Sequence, residues 1–109
     1  LLLLNDVQFF ECARGLAEQL LRHGDDDRSR LVSGFRLVTS RHPTETEMTI
    51  LQQALEQHRK EYQAHPADAA AMLAVGEAPR VGGLQPTELA AWTIVANLLL
   101  NLDEAITKG

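Results

Sequence analysis

Residues 35–51 read Phe-Arg-Leu-Val-Thr-Ser-Arg-His-Pro-Thr-Glu-Thr-Glu-Met-Thr-Ile-Leu, and the fold turns on how this stretch divides. The ring of a proline drives the preceding residue out of helical geometry, so His42 before Pro43 marks a break. Upstream of it, Leu31, Gly34, Phe35 and Val38 form the stripe of a helix that ends before Ser40. Downstream, Thr44 is followed three residues later by Glu47, the spacing of a capping box. In that device the hydroxyl accepts the amide of the third helical residue, and the carboxylate accepts the amide of the cap itself. Met48, Leu51, Leu55, His58 and Tyr62 then recur at helical spacing, which predicts a helix running to about Ala64.

The same reading extends both ways. Asn5 or Asp6 suits an N-cap for a helix whose apolar positions include Phe9, Phe10, Ala13, Leu16, Ala17, Leu20 and Leu21, with Gly24 as its stop. Asp25, Asp26 and Asp27 place negative charge where the next helix begins and its dipole is positive. Pro66 suits the first position of a short helix over Ala67–Val75, closed by Gly76. Residues 76–85 hold three glycines and Pro79 and form the one longer loop. Pro86 opens a last helix with Leu89, Trp92, Val95 or Ala96, Leu99, Leu102 and Ile106 along it. No stretch alternates with period two for long enough to make a strand. The expectation is an all-α chain of about five helices, a compact antiparallel bundle-like array with short connections, forming a single domain over 1–109.

Composition narrows the classes. Of the 109 residues 45% are hydrophobic but only 5% aromatic, so the core has to be mainly aliphatic. The formal charge of −5 argues against a dedicated nucleic-acid binder, which needs a dense cationic face. Only the second helix is basic, with Arg28, Arg30, Arg36 and Arg41 against three aspartates, and those aspartates oppose phosphate. Cys12 is the only cysteine, which excludes an internal disulfide and any CxxC or haem-attachment motif in this segment. The apolar region Ala90–Leu102 is interrupted by Thr93, Asn97 and Asn101 and falls short of the roughly 20 residues that a bilayer requires, so no membrane span is expected. Leu1–Leu4 lacks the charged start and the length of a signal peptide, and reads as the cut end of a longer chain.

No reactive constellation assembles along the chain. His58 and Glu61 have metal-ligand spacing but no second histidine one turn away, and Pro66 breaks the line from His58 to His65, so no metal site is expected. Cys12, flanked by Phe9, Phe10, Ala13 and Leu16, reads as a small core hydrophobe and not as a nucleophile. The glycine loop matches no phosphate-binding motif. Trp92 reads as a core anchor whose indole N–H needs an acceptor. Arg41, just past the second helix, is placed to bond that helix's terminal carbonyls, with Pro43 and Thr44 setting the direction of the next one. Asn101 and Asp103 are placed to receive amides from the start of the first helix and so tie the termini together.

Three stretches carry a resemblance: Leu-Leu-Asn-Asp at 3–6, the segment Phe35–Thr44 with Glu47, and Trp92–Glu104 ending in Leu-Asn-Leu-Asp-Glu. In this order and spacing they resemble the end of the planctomycete-type domain of unknown function that closes large secreted proteins carrying cytochrome-c-like segments. Position 7 is Val where the resemblance leads one to expect proline, and position 105 is Ala in place of an aromatic. The resemblance implies export to the periplasm, cell envelope or exterior and a C-terminal place in a much longer chain. It implies no activity.

The expected function is therefore a non-catalytic structural or interaction module without a cofactor, docking on other domains of its parent or on a protein partner. Leu1–Leu4 and the apolar faces of the first and last helices are the expected contact surfaces, with a homodimer as one form of contact. The competing reading is an accessory share of a polysaccharide-related active site completed by upstream domains, with Arg36, Arg41, His42 and His58 as its donors.

Overall fold

The last helix is the axis of the molecule. In the computed structural model, which describes residues 7–23, 26–74 and 84–108, five helices follow in the order α1 (Val7–His23), α2 (Asp27–Thr39), α3 (Glu45–Ala64), α4 (Pro66–Leu73) and α5 (Pro86–Lys108). There is no strand among the described residues. Each of the first four helices packs on α5, and the pairing of α1 with α5 is the most extensive. Consecutive helices from α1 to α4 also pack on one another. The all-α architecture read from the sequence is thus the one observed. Asn5 and Asp6, either of which the sequence offered as an N-cap, and most of the 76–85 loop lie outside the described residues.

Local chemistry accounts for the helix ends. Asp26 caps α2, its Oδ1 accepting the Ser29 amide at 2.8 Å, and that hydrogen bond lowers its carboxyl pKa below the ordinary value. The capping box of α3 is complete: Thr44 Oγ1 accepts the Glu47 amide at 3.1 Å, and Glu47 Oε1 accepts the Thr44 amide at 2.8 Å. Pro66 occupies the first turn of α4 immediately after His65, whose amide still donates to Glu61 O at 3.0 Å to close α3. α4 ends at Leu73, two residues before the sequence expectation.

The core is aliphatic around two aromatics. Trp92 and Phe35 are fully buried, together with Leu31, Met48, Leu51, Leu55, Leu73, Leu89, Val95 and Leu99. Each such side chain contributes about 1.5–3 kcal/mol relative to an exposed one. Gly34 lies where three helices converge: a Cβ there would come within 2.9 Å of Leu20 Cδ1 on α1 and of Leu99 Cδ1 on α5. Arg30 beside Trp92 and Gly34 against Leu99 show that α2 and α5 run in the same sense, whereas a strictly alternating array would oppose these two helices.

Two expectations are corrected, the burial of Cys12 and the contact faces of α1 and α5. Cys12 is exposed. The inward face of α1 is Ala13, Ala17 and Leu20, and Cys12 is turned about 100° away from Ala13. Asn101 bonds within its own helix, Nδ2 donating to Asn97 O at 2.9 Å, while the amides ahead of Val7 that a terminal tie would bring to it lie outside the described residues, as do Leu1–Leu4 and the Asp103 side chain. The apolar faces of α1 and α5 are largely closed against each other, which removes them as the main contact surfaces.

Candidate functional site

The most highly organised polar group in the molecule surrounds Arg59, near the end of α3. Its Nε donates to Glu88 Oε2 at 2.8 Å and its Nη2 to Glu88 Oε1 at 3.0 Å. On its other edge Nη1 and Nη2 donate to the two Asp27 oxygens at 2.9 and 3.0 Å, and Nη1 also reaches Glu56 Oε2 at 3.1 Å. Asp27 and Glu88 both sit in the first turn of their helices, where the dipole stabilises a carboxylate. One guanidinium therefore joins α3 to the starts of α2 and α5 through two bidentate pairs, a geometry that lysine does not reproduce. The side chain of Arg59 is 18% exposed, and the bonds to Asp27 and Glu88 raise its pKa further above the arginine range.

The network continues inward. Arg30 lies 3.9 Å from Asp27 Oδ1, donates to Leu21 O at the end of α1, and places its guanidinium 5.9 Å from the Trp92 ring centroid. Trp92 is the core anchor that its register predicted. Its indole N–H finds no acceptor among the described residues; the Arg30 cation interacts with the ring face and does not satisfy that donor. Arg14, buried on α1, donates to Leu73 O, one of the carbonyls that the end of α4 leaves free. The sequence reading did not single out Arg59 or Arg14, and it took Arg30 only as part of the basic second helix.

At the α2–α3 corner, Arg41 has partners other than the helix carbonyls expected for it. Ser40 adopts a left-handed conformation (φ 64°), and its amide takes Arg36 O at 2.8 Å, which turns residue 41 off the α2 axis. The guanidinium instead grips Glu47 through Nη1–Oε1 at 3.0 Å and Nη2–Oε2 at 2.8 Å, donates to His42 O, and covers the Phe35 ring at 4.8 Å. Glu47 is already turned back by the capping box, and a carboxylate accepts more strongly than a carbonyl. The Arg41 bonds, followed by the Thr44 amide, hold the Glu47 carboxyl at about 2.

The four candidate donors of the enzymatic reading do not converge. Arg41 is engaged with Glu47, and His42 is exposed beside it. His58 lies on α3 with Nδ1 3.6 Å from Glu61 Oε1. At 1.5 Å per residue it is roughly 20 Å along the helix from the corner. Arg36 is on the outer face of α2, in an open groove of about 380 Å³ with Ser33, Leu37 and Ser40. Its guanidinium has no hydrogen bond or ion pair to another described residue. Leu37 is among the most exposed large hydrophobics at 57%. Among the described residues no cluster of three or more His, Cys, Asp or Glu is arranged to hold a metal ion, and no helix is long and apolar enough to cross a membrane.

The fold and its polar joints define an all-α five-helix array with a central last helix. In comparisons with family models, curated proteins and solved structures, nothing matches the chain.

Proposed function

We propose that this chain is a non-catalytic helical module that docks on other domains of a longer parent protein or on a protein partner. The observation that carries this reading is the commitment of Arg59 and Arg41 to joining helices, Arg59 with its guanidinium saturated by carboxylates of this same chain and Arg41 paired in bidentate fashion with Glu47. Groups held in that way fix a shape and are not free to bind or turn over a substrate. The outer face of α2 is the contact surface we favour, because there Arg36, a cation with no partner among the described residues, stands next to exposed Leu37 in an open groove. Such a face suits a partner segment that offers an apolar side chain beside a carboxylate. The resemblance to the terminal domain of large secreted proteins supports a place at the cell envelope or outside the cell.

The test is light scattering of the purified chain across a wide concentration range, together with binding of an apolar-surface dye. Dye binding or self-association, reduced by the double substitution Arg36→Ser and Leu37→Ser, is the expected result. A strict monomer that binds no dye, or a chain that hydrolyses a glycan unaided, contradicts the proposal.

A further inference from the structure

We draw no further inference here: the strongest candidate, the pair of exposed leucines Leu98 and Leu102 one turn apart on the second half of α5, carries nothing, because nothing in the structure shows what covers it.

Discussion

Arg41 and Glu47 are joined across the α2–α3 corner by two parallel hydrogen bonds of 3.0 and 2.8 Å, and the same carboxylate accepts the Thr44 amide that begins α3. One acidic group thus closes a helix cap and anchors the turn that precedes it. Replacing Thr44 with Ala removes one side of the cap and is expected to lower stability by about 1 kcal/mol.

The pairing has a signature in pH. The folded-state carboxyl of Glu47, at about 2, lies below its ordinary value of 4.5, so its stabilising contribution is complete above that ordinary value. The contribution fades as pH falls through about 2. Carboxyl-carbon NMR should find the Glu47 midpoint near 2 in the parent and closer to 4.5 in Arg41→Ala, because the largest cause of the depression has been removed. An unchanged midpoint in the variant would show that the guanidinium does not set it.

Two glycines in helix interiors should respond differently to alanine. Gly15 is exposed on α1, and a Cβ there meets nothing within 4 Å, so Gly15→Ala should raise stability by about 0.5–1 kcal/mol. At Gly34 the same gain is offset by moving two leucine methyl groups, which leaves Gly34→Ala near neutral. Gly34→Val demands more room and should cost about 1–3 kcal/mol. Urea midpoints of the three variants check the ranking.

Ser40 holds a left-handed backbone conformation that disfavours a Cβ. Ser40→Gly should therefore raise stability by up to about 1 kcal/mol, and Ser40→Val should lower it. Thermal unfolding of the pair, compared with the parent, reads the sign directly.

Much of the fold was legible because its signals are local. Thr44 and Glu47, Pro43, and Pro66 after His65 each act within a few residues, and the structure places helix ends at or beside them. The joints that position those helices were not legible. Arg59 stands 32 residues from Asp27 and 29 from Glu88, and only its pairing with Glu56, one turn away, follows from spacing. Arg14 was passed over because arginine is seldom buried, and only the packing of α4 near α1 supplies the carbonyl that satisfies it. Cys12 was misread from its neighbours' composition. The period that runs through Ala13, Ala17 and Leu20 already placed it outside the stripe.

The most direct measurement is urea unfolding of Arg59→Met, followed by Trp92 fluorescence and helical circular dichroism together. The substitution keeps an unbranched apolar stem but leaves Asp27, Glu56 and Glu88 without the cation that joins them. With these groups part-exposed, the loss should fall between that of an exposed pair and that of a buried one, about 2 kcal/mol, and Glu56→Gln alone should cost well under half of that. A midpoint for Arg59→Met equal to that of the parent would contradict the claim that charged side chains here serve to hold the helices in place.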